Sequence, residues 1–407
     1  MNKGKDNKPH IGIYGRRNVG KSSFINALTG TDTAIISDIA GTTTDPVKKS
    51  IEIFGIGPAI LVDTAGIDDT GELGKKRIQK TQETIAHIDL AIVLISNNIF
   101  DSFELTLIQK FDYYKVDYVI IHNKEDIEKL SNSTLNKIKQ HTKAPIETCS
   151  VLQSSNIAEV IELLKISTPQ NAYQKTSLLG NIIGKNDIVM LITPVDSEAP
   201  EGRMILPQAM AIRDVLDNNA VNIVLKETEV EAFFSKNDIK PNLVITDSQA
   251  FNYVSGIIPR NIPLTGFSVL FAHIRGPFED YVKGAEKIST LNDGDKILIL
   301  ESCVHQVSCE DIGRFKLPNW IRNFSGKKLE FDVAAGLSEI KNPITDYSLV
   351  IQCGGCMITK KQLISRLKPA LDAEISITNY GIAIAYMNGI LERAIEPFMI
   401  NESVIHE

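Results

Sequence analysis

Long apolar runs are missing from this sequence, and so is a net positive charge. No stretch approaches the roughly 18 consecutive apolar residues that a membrane-spanning helix needs, and the polar segment from Met1 to His10 lacks the apolar core of a secretory signal peptide. The formal net charge of −7 disfavours a general binder of nucleic acids or anionic membranes, because such surfaces need clustered lysines and arginines. We therefore expect a cytoplasmic protein without membrane or nucleic-acid partners.

Cysteine is also scarce. The 407 residues include five cysteines, an odd number in a chain without a secretory signal, so a disulfide framework is not expected. Thiols that stay reduced are free to bind a metal. Cys149 and Cys309 stand alone in the sequence and are expected to be buried packing residues, whereas the other three cysteines form a pattern.

A chain of 407 residues is too long for one hydrophobic core, since single domains usually hold about 100–200 residues. Short apolar runs alternate with helical stretches, which is typical of α/β domains with mostly parallel sheets. A polar stretch from Ser167 to Thr176 indicates a linker. We predict three α/β domains: residues 1–166, 177–263 and 264–407. The predicted strands are Ile11–Tyr14, Ile60–Val62, Leu90–Ile95, Tyr118–Ile121, Pro145–Thr148, Ile188–Ile192, Asn222–Leu225, Leu243–Thr246, Lys296–Leu300, Leu329–Val333 and Ser348–Ile351. The predicted helices include Ser22–Leu28, Ala209–Leu216, Lys360–Leu367 and Ile390–Ile395.

Residues 15–22 read GRRNVGKS and fit the phosphate-binding pattern G-x-x-x-x-G-K-[ST]. The context fits as well, because a predicted strand ends directly before the motif and a predicted helix begins at its end. In such loops, backbone N–H groups surround the phosphate oxygens and the helix dipole favours the anion. Lys21 would reach the β- and γ-phosphates, and the Ser22 hydroxyl would bind Mg²⁺. The predicted nucleotide-contacting residues of this segment are Gly15, Asn18, Val19, Gly20, Lys21, Ser22 and Ser23.

Two further motifs follow predicted strands in the order that a GTPase requires. Residues 63–66 read DTAG, so Asp63 would hold Mg²⁺ through water and the Gly66 N–H would face the γ-phosphate. Residues 123–126 read NKED, so the Asp126 carboxylate can accept two hydrogen bonds from an edge that guanine has and adenine lacks.

The base site has other predicted members. Asn123 and Lys124 belong to the same motif as Asp126, and Lys124 would lie along the base. Ser150 and Val151 stand where a Ser-Ala loop contacts guanine O6. Four elements in order, each after a strand, predict that the domain binds GTP and hydrolyses it to GDP and phosphate.

The domain resembles the TrmE–Era branch of GTPases, and residues 40–45 (AGTTTD) are similar to the switch I segment of that branch. The resemblance implies that Thr43 completes the Mg²⁺ shell when GTP is bound. It also implies that Asn18 helps to hold a K⁺ ion that stabilises the transition state by its charge, although Asn18 can instead merely shape the loop. Ile67 occupies the position of the catalytic glutamine of Ras-type GTPases. The expected catalytic residues are Lys21, Asn18, Thr43 and Gly66, with hydrolysis stimulated by K⁺.

The remaining three cysteines lie after two predicted strands. Cys303 and His305 follow one strand, and 50 positions after Cys303, Cys353 and Cys356 follow another. If these strands are neighbours in a parallel sheet, the thiols lie at one edge, where open α/β sheets bind ligands. From the spacing alone, three sites stay open: a [4Fe–4S] cluster with a fourth group, a Cys₃His zinc site, and a redox dithiol.

The C-terminal segment resembles the HydF family of [FeFe]-hydrogenase maturation GTPases. The resemblance lies in residues 264–272 (LTGFSVLFA), 301–305 (ESCVH), 311–314 (DIGR), 353–356 (CGGC) and 379–386 (NYGIAIAY). It implies a [4Fe–4S] cluster on Cys303, Cys353 and Cys356, and a middle domain that forms a homodimer. It also implies a scaffold or carrier of a di-iron precursor, with two radical-SAM maturases upstream and the [FeFe]-hydrogenase apoprotein as recipient.

One departure from the family pattern concerns residue 352. Many members have histidine directly before Cys-x-x-Cys, where this chain has Gln352, a poor iron ligand. The fourth ligand is then His305, a carboxylate, water or a second iron unit. The substitution either leaves an exchangeable site for the precursor or only alters the hydrogen bonding around the cluster.

The rival interpretation is a TrmE/Era-type GTPase that associates with RNA or the ribosome and carries a structural zinc. It would require a basic accessory domain, which the net charge disfavours.

Overall fold

The structure is a computed structural model, and it describes residues 8–29, 37–39, 47–53, 57–64, 83–152, 154–169, 172, 177–194, 204–302 and 312–399. The chain divides into two compact units, Met1–Lys175 and Thr176–Glu407. Both are α/β, as predicted. Among the described helices, none has the length and apolarity that a membrane crossing requires.

The described strands of the first unit form one sheet in the order β2-β3-β4-β1-β5-β6-β7. They are β1 (His10–Gly15), β2 (Ser37–Ile39), β3 (Val47–Ile53), β4 (Gly57–Asp63), β5 (Leu90–Ile95), β6 (Asp117–Asn123) and β7 (Ile146–Cys149). The strands from β4 to β7 in this order are parallel, and β2 and β3 add an antiparallel edge that was not predicted. The described helices are α1 (Lys21–Thr29), α2 (Ser102–Tyr113), α3 (Asn132–His141) and α4 (Ser154–Ser167).

Strand β5 shows why strands of this sheet could be predicted from the sequence. All six of its residues are buried, because helices cover both faces. Leu90, Ile92 and Leu94 share a core with α1 and α4 residues, whereas Ala91 and Val93 pack on the opposite face with α2 and α3 residues. A strand buried on both faces is continuously apolar, and the predicted bounds of β5 are confirmed.

The second unit contains two parallel four-stranded sheets in the described residues, ordered β11-β10-β8-β9 and β13-β12-β14-β15. The strands are β8 (Ile188–Ile192), β9 (Val221–Leu225), β10 (Leu243–Thr246), β11 (Leu264–Gly266), β12 (Lys296–Leu300), β13 (Glu330–Ala334), β14 (Leu349–Gln352) and β15 (Ser376–Asn379). Both sheets have the same connectivity: the second strand lies on one side of the first, and the third and fourth lie on the other. The strand order therefore reverses beside β8 and beside β12, and ligands bind at such reversal points in open α/β sheets.

The described helices of the second unit cover both sheets. They are α5 (Leu206–Asp217), α6 (Val230–Lys236), α7 (Phe251–Ile257), α8 (Phe267–Arg275), α9 (Phe278–Ala285), α10 (Leu317–Ser325), α11 (Lys360–Asp372), α12 (Tyr380–Met387) and α13 (Leu391–Met399). One continuous core includes Leu191 of β8, Phe271 of α8 and Leu298 of β12. Strand β11, at the start of the predicted third domain, pairs with β10. The three-domain division stays a prediction.

Candidate functional site

The phosphate-binding loop connects β1 to α1. Gly15 is the last residue of β1, and α1 begins at Lys21. A Cβ on Gly15 would lie 2.5 Å from Leu94 O, and one on Gly20 would lie 2.5 Å from Asn123 Nδ2. Gly20 also has a φ of 96°, which L-residues avoid. The glycines of the motif are therefore required by the path of the loop.

Lys21 lies over this loop. Its Nζ donates hydrogen bonds to Gly15 O and Arg16 O, each at 2.8 Å. Burial raises the pKa of Asp63, the last residue of β4, and the ammonium groups of Lys21 and Lys49 oppose that rise. A cation and a carboxylate thus meet beside the loop, as binding of phosphate and Mg²⁺ requires.

The first turn of α1 completes the described part of the phosphate site. Ser22 and Ser23 are both exposed there, and a first helical turn presents backbone N–H groups and a positive dipole end to an anion. Thr43, Gly66 and Ile67 lie outside the described residues.

The NKED segment at the end of β6 holds the other side of the loop. Asn123 Nδ2 donates to Val19 O at 2.8 Å, and Lys124 Nζ donates to Asn18 O at 2.6 Å. Asn18 has a φ of 63°, so these contacts lock an uncommon backbone conformation. The base-recognition motif therefore also shapes the phosphate loop.

Asp126 is oriented by the segment after β7. Ser150 Oγ donates to Asp126 Oδ1 at 2.6 Å, and Val151 follows as a partly buried residue of the same core as α1. The hydroxyl fixes the orientation of the carboxylate. Cys149 is buried, as expected, and burial raises the pKa of its thiol to about 11.

Arg16 anchors the start of the phosphate loop, a role that no motif in the sequence predicted. Its Nε and Nη2 donate to the two oxygens of Glu104 at 2.9 and 3.1 Å, Nη2 also contacts Asp101 Oδ1, and the guanidinium lies over the Phe103 ring. Asp101 and Glu104 form the capping box of α2. The D-x-x-E spacing of a capping box was visible in the sequence, but its partner was not.

The second candidate site lies at the carboxyl ends of β12 and β14, which are adjacent and parallel. The Cys353 N–H donates to Leu300 O at 2.9 Å, and the Ser302 N–H donates to Cys353 Sγ at 3.1 Å. The Ser302 hydroxyl lies 3.0 Å from the same sulfur. The two strand ends assumed to be neighbours therefore meet at one cysteine sulfur.

Cys353 and Cys356 are half-buried thiols in the turn after β14, and neither is in a disulfide. Cys303, His305 and Cys309 lie outside the described residues. Within the ranges that are described, no group of three or more histidine, cysteine, aspartate or glutamate side chains forms a metal site.

A buried arginine holds the turn that carries these thiols. Arg275, at the end of α8, donates from Nη1 to Gly355 O at 2.6 Å and to Ile358 O at 2.8 Å. Gly355 has a φ of 72°, and a Cβ there would lie 2.5 Å from Leu363 Cδ1. The second glycine of Cys-Gly-Gly-Cys is therefore needed for the turn.

A second buried arginine holds the neighbouring strand ends. Arg366 of α11 donates from Nη1 to Glu301 O and from Nη2 to Ala334 O, each at 2.6 Å. Burial lowers the pKa of Arg366, and Cys353, Tyr380 and Glu301 oppose this shift. The side chain of Glu301 is paired with Arg314 at 2.8 Å. Positive charge thus lies next to the cysteine edge.

Ser302 and Arg366 were not predicted from the sequence. Ser302 was visible only as the residue before Cys303. Arg366 lies on a helix far from the cysteines in sequence, so no local pattern identified it.

Comparisons with known families cover most of the chain. The model of the hydrogen maturase F tetramerization domain matches residues 279–397, and that of the hydrogen maturase F dimerization domain matches residues 178–276. The model of the 50S ribosome-binding GTPase matches residues 10–124.

The curated relatives are similar to this chain over the GTPase region. GTPase Der of Wolinella succinogenes is 31% identical over 183 residues, which are 42% of this chain and 39% of that protein. The tRNA modification GTPase MnmE of Lactobacillus johnsonii is 36% identical over 171 residues, 39% of this chain and 35% of that protein. The chain thus spans less than two fifths of the length of these relatives.

The solved structures have a lower sequence identity to this chain than these relatives do. An Era variant of Aquifex aeolicus bound to GDP and AlF4⁻ is 18% identical, with a TM-score of 0.34, and the match covers 54% of this chain and 93% of that chain. The G domain of the T. maritima FeoB iron transporter is 20% identical, with a TM-score of 0.29, covering 39% and 96%.

Proposed function

Because the chain belongs to the hydrogen maturase F family, we propose that it is a GTP-hydrolysing scaffold or carrier for [FeFe]-hydrogenase maturation. It binds a [4Fe–4S] cluster and assembles or delivers the di-iron precursor of the hydrogenase active site. The [FeFe]-hydrogenase apoprotein and two radical-SAM maturases are its proposed partners. Models of a dimerization and a tetramerization domain both match, which supports an oligomer with a homodimer as its proposed unit.

The GTPase half of the proposal is supported by the built nucleotide site. Lys21 and the first turn of α1 are proposed to bind and orient the phosphates, and Ser22 and Asp63 to hold Mg²⁺, which supplies charge stabilisation when bound. Asp126, held by Ser150 at 2.6 Å, selects guanine. Thr43 and Gly66 are proposed to complete the catalytic set.

A proposed K⁺ ion beside Asn18 would supply further positive charge for the transition state. Turnover should therefore be faster in KCl than in NaCl, and Asn18→Ala should remove that difference. Asn97 has a similar φ, 55° against 63° for Asn18, so Asn97→Ala is a control for losing an asparagine at positive φ. Equal wild-type rates in the two salts would refute the K⁺ proposal.

One observation carries the cluster half of the proposal: Ser302 N–H donates to Cys353 Sγ at 3.1 Å. Cys303 follows Ser302 directly in the sequence, which supports Cys303 as the third proposed ligand. Thiolates that accept N–H bonds are typical ligands of iron–sulfur clusters. The donor set fits a [4Fe–4S] cluster on Cys303, Cys353 and Cys356.

The buried arginines suit such a cluster as well. Arg275 and Arg366 carry positive charge and hold the turn and strand ends around the cysteines. They would stabilise an anionic cluster and keep its ligands in place. His305 remains a proposed fourth ligand.

The rival, an RNA- or ribosome-associated GTPase with a structural zinc, is less well supported. It accounts for the GTPase match but not for two hydrogen maturase F matches over residues 178–276 and 279–397.

The test is anaerobic purification followed by iron and zinc quantification, ultraviolet–visible spectra and EPR of the reduced protein. We expect a brown protein with a reducible cubane signal. Cys353→Ser should lose iron but keep GTP hydrolysis. Lys21→Ala should keep its iron but lose GTP hydrolysis. Cys149→Ala, which removes a buried thiol of the GTPase core, should keep its iron. Stoichiometric zinc without iron would favour the rival.

A further inference from the structure

We propose that Gln352 is a positioning residue that donates a hydrogen bond to the Cys353 sulfur, and that it does not bind iron. Together with Ser302 it forms a cradle of three donors around one thiolate of the cluster, which raises the reduction potential of the cluster and strengthens iron binding. The inference rests on the proposed function, because it concerns a ligand of the proposed cluster.

The orientation of the Gln352 amide is determined by its neighbours. Its Nε2 lies 3.2 Å from Cys353 O, 3.0 Å from Ser302 Oγ and 3.4 Å from Cys353 Sγ. A backbone carbonyl can only accept a hydrogen bond, so the amide nitrogen must face it. Turning the amide over would place its oxygen against a carbonyl oxygen and a sulfur, both rich in electrons. Gln352 Oε1 therefore points away from the sulfur to which iron would be attached.

The other two donors come from Ser302. Its backbone N lies 3.1 Å from Cys353 Sγ and its Oγ lies 3.0 Å from the same atom. A protonated thiol donates to this hydroxyl, but an iron-bound thiolate has no proton. The hydroxyl hydrogen can rotate and then donates to the sulfur. Of the two amide hydrogens of Gln352, one faces Cys353 O and the other is shared between Ser302 Oγ and Cys353 Sγ, so the amide, the hydroxyl and the Ser302 N–H all present a donor to the thiolate.

The cradle is rigid because it is part of the sheet. Gln352 is 0% exposed and is paired across β14 with Leu300 on one side and Asn379 on the other. Asn379 Nδ2 also donates to Gln352 O at 3.1 Å. Since neither the backbone nor the buried side chain has room to move, the amide holds the sulfur in one orientation.

The chemical consequence follows from charge. Hydrogen bonds to a cluster thiolate stabilise the more negative, reduced cluster and so raise its reduction potential. Groups that orient metal ligands also strengthen binding, and their loss costs roughly 10- to 100-fold in metal affinity. Between the two earlier explanations of Gln352, the geometry supports altered hydrogen bonding.

The experiment uses full-length protein reconstituted anaerobically with ferrous iron and sulfide. Gln352→Met keeps the length of the side chain and removes its donor. We expect the ratio of oxidised to reduced cluster, read by EPR at the wild-type midpoint, to rise about tenfold, which is 59 mV for one electron. Iron affinity should fall roughly tenfold. Ser302→Ala removes one hydroxyl donor but keeps the backbone donor, so a smaller shift in the same direction is expected.

Two further variants complete the design. Gln208→Met replaces a buried glutamine of α5 and controls for the loss of any buried amide, so its potential should match the wild type. Gln352→Leu also removes the amide without adding an iron ligand, so its potential should shift in the same direction as that of Gln352→Met. If Gln352→Met does not fold, Ser302→Ala and Gln352→Leu carry the test.

Two results would overturn the inference. An unchanged potential in both Gln352→Met and Ser302→Ala, with the cluster intact, would show that the donors do not act on the sulfur. A [3Fe–4S] signal in Gln352→Met, absent from the wild type, would show that Gln352 holds the fourth iron. A wild-type protein that takes up no iron would instead refute the proposed function, and the inference with it.

Discussion

Replacing Arg16 with methionine should destabilise the GTPase unit by a predictable amount. The Arg16 side chain is 25% exposed, whereas its partner Glu104 is 1% exposed. Without the guanidinium, the buried carboxylate keeps the Asp101 N–H, at 2.9 Å, as its remaining partner among the described residues. Breaking a fully buried pair costs about 3–5 kcal/mol, and water reaching the Arg16 side lowers this to about 2 kcal/mol.

Thermal unfolding in the presence and absence of GDP measures this effect, because GDP identifies the transition of the GTPase unit. For a unit of this size, 1 kcal/mol shifts the Tm by about 2–4 °C, so Arg16→Met should lower it by about 4–8 °C. Lys143 lies exposed in a loop of the same unit, and Lys143→Met should change the free energy of unfolding by less than about 0.5 kcal/mol.

A double-mutant cycle identifies the cause. Glu104→Gln removes the charge but keeps an acceptor for the Asp101 N–H, so the double variant should be more stable than the sum of the single effects predicts. We expect a coupling of about 1 kcal/mol or more. Additive effects, or an Arg16→Met protein that melts within 1 °C of the wild type, would refute the assignment.

Three further predictions concern the same unit. Gly20→Ala should weaken GDP binding at least roughly tenfold by calorimetry, because its Cβ would lie 2.5 Å from Asn123 Nδ2 at a φ of 96°; unchanged affinity would show that the loop tolerates a side chain. Asp126→Asn turns one acceptor into a donor, so GTP affinity should fall roughly 100-fold or more. The affinity for a xanthine nucleotide, which has a carbonyl at that edge, should fall less. Equal losses of affinity for the two nucleotides in a competition assay would contradict the assignment. Burial lowers the pKa of His122, and the negative charges of Glu125 and Glu128 oppose this shift. Because the unfolded chain takes up this proton at about pH 6.5 and the folded chain only at lower pH, the Tm of the GTPase unit should fall as pH drops below about 6.5. His122→Leu should reduce that slope, and an unchanged slope would exclude His122 as its origin.

Local patterns in the sequence were enough for much of the fold and for the nucleotide site. The strands Leu90–Ile95 and Ile188–Ile192 have the predicted bounds, because strands covered on both faces are continuously apolar. Gly15 and Gly20 mark a loop whose backbone leaves no room for Cβ atoms. Such requirements act between neighbouring residues, so they appear in the sequence as motifs of consecutive residues.

Partners that are distant in sequence could not be predicted in this way. The hydrogen bonds of Arg16 to Glu104 join residues 88 positions apart, and that of Arg275 to Gly355 joins residues 80 apart. Neither pair has a spacing that a helix or strand would repeat.

The sequence by itself determined the α/β class, the order of the nucleotide motifs and the positions of the cysteines. Only the tertiary structure decided that β12 and β14 are adjacent, that Ser302 and Gln352 share the Cys353 sulfur, and that β11 joins the sheet of β10. The physical reason is that motifs express local backbone and side-chain needs, whereas the order of strands follows from how all the apolar faces of a unit are buried together.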